Sequence, residues 1–206
     1  MINEFFQNTR KPEGLGGKLM VQMMNKGHAA LAQWGFSHVN MKGHVDALDI
    51  GCGGGANLAA LLRMFPSGTV TGMDYSAVSV EKSLSVNRDA VSAGRCRVLK
   101  GDASALPFEK ESFDLVTAFE TIYFWPELAS SFRQIRNILR PGGMLLICNE
   151  TDNAEDDTWT KRIDGMRIYS RRQLEQLLTE TGFCSIQSDE LMKKGWLCIT
   201  AFAGLR

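Results

Sequence analysis

Residues 49–55 read DIGCGGG, a glycine-rich stretch between a predicted strand and a predicted helix. It ends an apolar run, residues 45–50, that is typical of a buried strand, and residues 56–64 after it have helical periodicity. Glycines let the backbone turn sharply and approach a ligand that a Cβ would exclude. Residues 49–55 are therefore predicted to join a first strand to a first helix. The motif alone is a weak signal, because the loose dinucleotide pattern GxGxxA also matches it.

The same alternation of strand and helix continues along the chain. Further strands are predicted at residues 69–74, 96–100, 113–119 and 144–148, and further helices after Ser76 as far as Gly94, at residues 127–139 and at residues 170–182. Strands joined by such helices form right-handed crossovers in a largely parallel sheet.

The last two predicted strands, residues 184–190 and 196–202, have only a turn between them. A connection this short requires an antiparallel hairpin at one edge of the sheet. The sequence therefore predicts an α/β fold: a doubly wound, mostly parallel seven-stranded sheet with a C-terminal antiparallel hairpin.

Composition narrows the class of protein. The 206 residues suit one domain, residues 1–206, and 23 Lys and Arg balance 23 Asp and Glu, which argues against a nucleic-acid partner. The five cysteines lie far apart, so we expect no metal site of the CxxC type and a reducing, cytoplasmic location. No apolar stretch predicts a membrane span, and no feature indicates an oligomeric state.

Two segments fall outside the alternation. Residues 1–40 include a helical pattern and are predicted to form an N-terminal lid, and residues 150–169 form an acidic, then basic, insertion near the acceptor site. An ordinary packing helix and a solvated loop are the alternative interpretations.

Acidic residues follow the second and third predicted strands. Asp74 ends the second strand, where a carboxylate can accept hydrogen bonds from both hydroxyls of a ribose. Asp102 lies in the motif GDA at the end of the third, where it can accept from an adenine amine while a neighbouring backbone N–H reaches a ring nitrogen. For a lone aspartate at a strand end, a helix cap or a turn is the alternative.

Three further motifs complete a characteristic order: LPF at residues 106–108, SFDLV at residues 112–116 and LRPGG at residues 139–143. Together with DIGCGGG, Asp74 and GDA, they make the chain resemble the class I S-adenosylmethionine-dependent methyltransferases. The similarity is greatest to the small-molecule branch that includes quinone-pathway C-methyltransferases. It is dense over residues 45–148 and looser beyond them.

The resemblance implies a Rossmann-like methyltransferase fold, with an antiparallel last strand beside the fifth, and S-adenosylmethionine as cofactor without a metal. It also implies a role for each matching residue. In the cofactor site it places Asp49, Gly51, Cys52 and Gly53 at the methionine part, Asp74 at the ribose, Tyr75, Asp102 and Ala103 at the adenine, and Phe119 at the end of the fourth strand.

The predicted function is methyl transfer to a small-molecule acceptor by in-line displacement. A sulfonium methyl is already activated, so the protein mainly has to position the reactants and exclude water. If the acceptor must lose a proton, Glu120 and Tyr123 are the candidate catalytic residues; structural hydrogen bonding and packing are the alternative. The three histidines suggest surface or packing roles, with His28 kept as a weak candidate because it lies on the lid.

Other functions explain the sequence motifs less completely or remain as alternatives. A nicotinamide dehydrogenase shares the glycine turn but leaves GDA, LPF and SFDLV unexplained. Base methyltransferases often have an Asn/Asp-Pro-Pro-aromatic motif where residues 119–122 read FETI, and arsenite methylation would need cysteines around the acceptor. A methyltransferase acting on protein or nucleic acid, and a non-catalytic S-adenosylmethionine-binding module, stay open as alternatives.

Overall fold

Seven strands form one sheet in the computed structural model, which describes residues 28–151 and 160–205. The strands are β1 (Ala47–Ile50), β2 (Val70–Asp74), β3 (Cys96–Lys100), β4 (Phe113–Phe119), β5 (Leu139–Asn149), β6 (Phe183–Leu191) and β7 (Trp196–Ala203), in the order β3-β2-β1-β4-β5-β7-β6. The first five strands pair in parallel, and β7 pairs antiparallel with both β5 and β6. The predicted fold is confirmed, including the position of the last strand beside the fifth.

Helices pack on both faces of this sheet. They are α1 (Ala29–Phe36), α2 (Ala56–Met64), α3 (Ala77–Val86), α4 (Arg88–Ser92), α5 (Leu128–Ile138) and α6 (Arg171–Glu180), with a 3-10 turn at Ile122–Phe124. Side chains of a strand alternate between faces. Leu48 and Val116 accordingly pack in the cluster that contains α5 and α6, whereas Ala47 and Leu115 pack in the cluster that contains α1 and α2. Among the described helices, none is both long and apolar enough to cross a bilayer.

The strand order determines where a ligand can bind. From β1 the chain crosses to β2 on one side, whereas β4 lies on the other side of β1. In open α/β sheets, ligands bind at such a switch point, outside the carboxyl ends of the strands. The predicted binding residues follow β1, β2, β3 and β4 at that same edge.

The helix predicted from Ser76 to Gly94 is divided in two at Asn87. The Asn87 side chain is buried, and its Nδ2 donates hydrogen bonds of 3.0 Å to the carbonyl oxygens of Gly55 and Ser83. Asn87 therefore ends α3 and ties it to the glycine turn. Its partner Gly55 is distant in sequence, so periodicity alone could not predict the break.

The fifth strand is longer than the predicted residues 144–148. It begins at Leu139, directly after α5, and includes Pro141. Leu139 pairs with Phe113 of β4, and the pairing register shifts between Phe113 and Leu115. This irregularity in the pairing of β4 with β5 makes room for the segment that contains the proline.

We predict that Asn87→Ala destabilises the protein by about 1–3 kcal/mol, because two buried hydrogen bonds, including the one that links α3 to the glycine turn, are lost. The free energy of unfolding in urea measures this. Asn137→Ala, at an exposed position on α5, is the matched control, with an expected change below about 0.5 kcal/mol. Equal changes in the two variants would contradict a structural role for Asn87.

Candidate functional site

A cavity of about 840 Å³ opens at the carboxyl ends of β1, β2 and β4. Its volume is typical of small-molecule sites. Helix α1 contributes to the lining through Ala32 and Phe36, and His28 lines it just before the helix begins. Eight of the nine predicted cofactor residues line the cavity: Gly51, Cys52, Gly53, Asp74, Tyr75, Asp102, Ala103 and Phe119. The ninth, Asp49, lies behind them.

The glycine turn after β1 is tied closely to β2 and β4. The backbone N–H groups of Gly51 and Cys52 donate to the carbonyl oxygen of Met73, at 2.7 and 3.1 Å. A Cβ at Gly51 would overlap the Thr121 side chain, and Gly51 has φ 77°. A Cβ at Gly53 would meet open space, which leaves room for a ligand against the backbone.

Asp74 links the glycine turn to the start of α3 through hydrogen bonds. Its Oδ2 accepts a 2.9 Å hydrogen bond from the Gly53 N–H, and its Oδ1 accepts one of 2.8 Å from the Ser76 N–H. Burial raises the pKa of Asp74, and these backbone hydrogen bonds partly offset the rise. The carboxylate retains lone pairs for further donors from the cavity.

Asp49 is buried behind the turn, with only 1% of its surface exposed. Its Oδ1 accepts a 2.6 Å hydrogen bond from Thr117 Oγ1, whereas Oδ2 has no partner among the described residues. Burial raises the pKa of Asp49 to about 7; the Thr117 hydrogen bond opposes this rise and the charge of Asp74 adds to it. Buried carboxylate oxygens are normally hydrogen-bonded, so Oδ2 is available for a donor that a ligand brings.

Asp102 and Phe119 line other parts of the cavity. Asp102 is exposed, and its Oδ1 accepts from the Ser104 N–H at 2.8 Å. Phe119 is buried and packs against Phe36 of α1, with ring centroids 4.8 Å apart. A Cβ at Gly35 would lie 2.7 Å from the Phe119 ring, so this glycine permits the close contact between α1 and β4.

Glu120 and Tyr123 lie together beyond the end of β4. Glu120 Oε1 accepts hydrogen bonds from the Glu150 backbone N–H and from the Tyr123 hydroxyl, the latter at 3.2 Å. Burial raises the pKa of Glu120 to about 8, and the neighbouring Glu150 carboxylate contributes to the rise. Glu120 lines the cavity, but Tyr123 does not: its side chain is buried behind Glu120, where its hydroxyl also lies 3.2 Å from the Thr151 carbonyl oxygen.

The structure describes only part of the two segments, residues 1–40 and 150–169, that lie outside the alternation of strands and helices. Residues 29–36 of the predicted lid form α1 beside the cavity. In the predicted insertion, the Arg167 N–H donates to the Tyr123 carbonyl oxygen at 2.9 Å, close to the site. Residues 1–27 and 152–159 lie outside the described residues.

Sequence reasoning missed Thr117, Thr121 and Glu150. Thr117 had a detectable signal, since it is a polar residue in the middle of a strand predicted to be buried. Thr121 and Glu150 act through contacts with Gly51 and Glu120, which no local pattern indicates.

We predict that, without ligand, the parent protein loses stability relative to the Asp49→Asn variant as the pH rises from about 4 to about 7. The quantity compared is the free energy of unfolding. In this range folded Asp49 retains a proton that the unfolded chain has lost, so folding becomes less favourable with rising pH only when the carboxyl is present. Urea unfolding at pH 4.5 and 7.5 measures the change, expected to be about 1–3 kcal/mol. Asp89→Asn, at an exposed carboxylate, is the control. A pH-independent difference between Asp49→Asn and the parent would contradict the prediction.

Comparison with known proteins agrees with this geometry. A family model described as "Methyltransferase domain" matches residues 48–147. A demethylmenaquinone methyltransferase of Staphylococcus aureus is 37% identical over 107 residues, which are 51% of this chain and 42% of that protein. A phthiotriol/phenolphthiotriol dimycocerosates methyltransferase of Mycobacterium tuberculosis is 27% identical over 183 residues, 87% of this chain and 66% of that protein. The chain therefore spans less than two thirds of either relative.

A solved structure shows the same fold at low sequence identity. Phosphoethanolamine N-methyltransferase 2 of Haemonchus contortus, solved with phosphomonomethylethanolamine and S-adenosylhomocysteine, is 16% identical and superposes with a TM-score of 0.80. The superposition covers 99% of this chain and 61% of that one. Residues 48–147 therefore match a methyltransferase domain, in agreement with the resemblance of the sequence to the class I S-adenosylmethionine-dependent methyltransferases.

Proposed function

We propose that the protein transfers a methyl group from S-adenosylmethionine to a small-molecule acceptor by in-line displacement. One observation carries the proposal: the cavity at the switch point is lined by eight residues that the family motifs assign to the cofactor. Two relatives are named as methyltransferases of demethylmenaquinone and of phthiotriol lipids, which supports a small-molecule acceptor.

The charges around the cavity suit this cofactor. When bound, S-adenosylmethionine supplies a methyl group activated on a sulfonium, next to a methionine ammonium group. Asp74 has lone pairs left for ribose hydroxyls, and the unpartnered Oδ2 of Asp49 fits a ligand that brings a donor, directly or through ordered water. Asp102, exposed at the end of β3, is proposed to accept from the adenine amine beside Ala103 and Tyr75.

Glu120 is proposed to face the acceptor. Its carboxylate lines the cavity one residue after Phe119, and its Oε1 is held by Tyr123 and by the Glu150 backbone. Tyr123 therefore acts as a positioning residue, which orients Glu120 without reaching the cavity. This arrangement can hold the acceptor in line and take part in removing its proton.

We expect the protein to bind S-adenosylmethionine and S-adenosylhomocysteine, and not NAD, in calorimetric titrations. Asp74→Ala should weaken binding by about 1–3 kcal/mol, because hydrogen bonds to the ribose are lost. Asp89→Ala removes an exposed carboxylate outside the cavity and should bind as the parent does.

Binding of NAD alone would overturn the proposed function in favour of a dehydrogenase. If the sulfur nucleotides bind, transfer of a radiolabelled methyl group is next assayed with phenols, quinols, amines, protein and RNA. Transfer only to protein or RNA, or cofactor binding without transfer to any acceptor, would favour one of the two alternatives over a small-molecule methyltransferase.

We predict that Glu120→Gln lowers kcat with the identified acceptor by about 10²-fold, because a group that handles the acceptor proton is lost. Binding of S-adenosylhomocysteine should stay close to that of the parent. Tyr123→Phe should lower kcat less, since the carboxylate stays in place. Glu127→Gln, at an exposed position, is the matched control. Turnover of Glu120→Gln equal to that of the parent would remove Glu120 from the acceptor site.

A further inference from the structure

Three potential metal ligands converge beside the cavity. His28 precedes α1, Glu120 follows β4 and Glu150 follows β5. One ligand atom from each side chain lies within 4.8 Å of the other two. His28 and Glu120 both line the cavity, so the cluster borders the space proposed for the acceptor.

The spacing of these atoms leaves a gap that a cation would fill. Within residues 28–151 and 160–205, no hydrogen bond or ion pair joins the three side chains to one another. Oxygen and nitrogen ligands lie about 2.0–2.2 Å from ions such as Zn²⁺. Two ligand atoms of one such ion are therefore about 3–4.5 Å apart. The three groups form no direct bond among the described residues, and the upper limit of 4.8 Å on their separation is close to the span of two ligands of one ion.

Among the described residues, no positive charge balances the cluster. Neither Glu120 nor Glu150 forms an ion pair with a lysine or arginine in the described part of the chain. Glu120 Oε1 accepts two hydrogen bonds, whereas no donor reaches its Oε2 among the described residues. The His28 side chain does not cap α1, so the imidazole is not used at the start of that helix. Two adjacent carboxylates and a free imidazole form a site suited to a divalent cation.

We propose that His28, Glu120 and Glu150 bind one divalent transition-metal ion, of the class of Mn²⁺, Fe²⁺ or Zn²⁺. One imidazole and two carboxylates, without a thiolate, suit these ions. Three protein ligands leave coordination positions open, as in catalytic metal sites. An acceptor with a hydroxyl or carboxylate oxygen next to the methylated atom could occupy them.

This role in acceptor binding rests on the proposed function, whereas the presence of the ion does not. The cysteine spacing and the family resemblance predict no metal, and the three ligands are distant in sequence and form no spaced motif that would indicate one. The three elements that present them, α1, β4 and β5, bring them together only in the fold.

Titration of the full chain with Mn²⁺, followed by electron paramagnetic resonance, tests the site. We expect one bound ion per chain and at least about a tenfold weaker affinity in His28→Gln and in Glu150→Gln, each of which removes a ligand. His38→Gln is the control: it changes an imidazole that lies 3.1 Å from the exposed Asp189, outside the cavity. Pulsed measurements should detect one coordinated imidazole nitrogen in the parent and in His38→Gln, but not in His28→Gln.

Two outcomes would overturn the proposal: no binding of Mn²⁺ or of Zn²⁺ by the parent, or equal affinity in the parent and both ligand variants. The nitrogen signal of the parent tests the site even if a variant fails to fold. Titrating S-adenosylhomocysteine into the same samples separates the two proposals. Cofactor binding without metal binding would remove the metal site alone, and metal binding without cofactor binding would remove the proposed function alone.

Discussion

The hydrogen bond from the Gly53 N–H to Asp74 Oδ2 joins two sides of the cavity. It joins the turn after β1 to the end of β2, while Asp74 Oδ1 accepts from Ser76 at the start of α3. One carboxylate thus sets the position of two crossovers. Gly51 must lack a Cβ because Thr121, after β4, occupies that space. The ends of β1, β2 and β4 therefore meet at the glycine turn. A shift of one of these strand ends would move the other two.

This arrangement places negative charge around the cavity. Asp49 and Asp74 are both buried, and the charge of Asp74 contributes to the raised pKa of Asp49; Glu120 with Glu150 forms a second acidic pair. The lining includes Arg63 as its one lysine or arginine among the described residues. Buried carboxylates without cations reduce stability, and a positively charged ligand restores part of it. The ligand-free protein is accordingly less stable at the place where the proposed sulfonium, ammonium or metal ion would bind.

Local patterns predicted the strands and the order of the motifs, and eight of the nine predicted cofactor residues line the cavity, because a glycine turn and a strand-end acid act within one crossover. They did not predict features that depend on distant partners. Asn87 breaks a helix to reach Gly55, and Glu150 meets Glu120 only because β5 pairs with β4. Asp49 lies in β1 just before the turn, and its buried carboxyl accepts a hydrogen bond from Thr117 of the adjacent strand, a partner distant in sequence.

Helix α1 links the cofactor side of the cavity to the proposed metal site. Gly35 allows the helix to contact Phe119, since a Cβ there would lie 2.7 Å from that ring and 2.9 Å from Cys148 Sγ. The same helix begins after His28. A larger side chain at position 35 would push α1 away from β4 and β5, and would move the imidazole away from Glu120 without altering any residue of the glycine turn. The position of His28 next to Glu120 thus depends on packing against Phe119, a residue that the family resemblance assigns to the cofactor site.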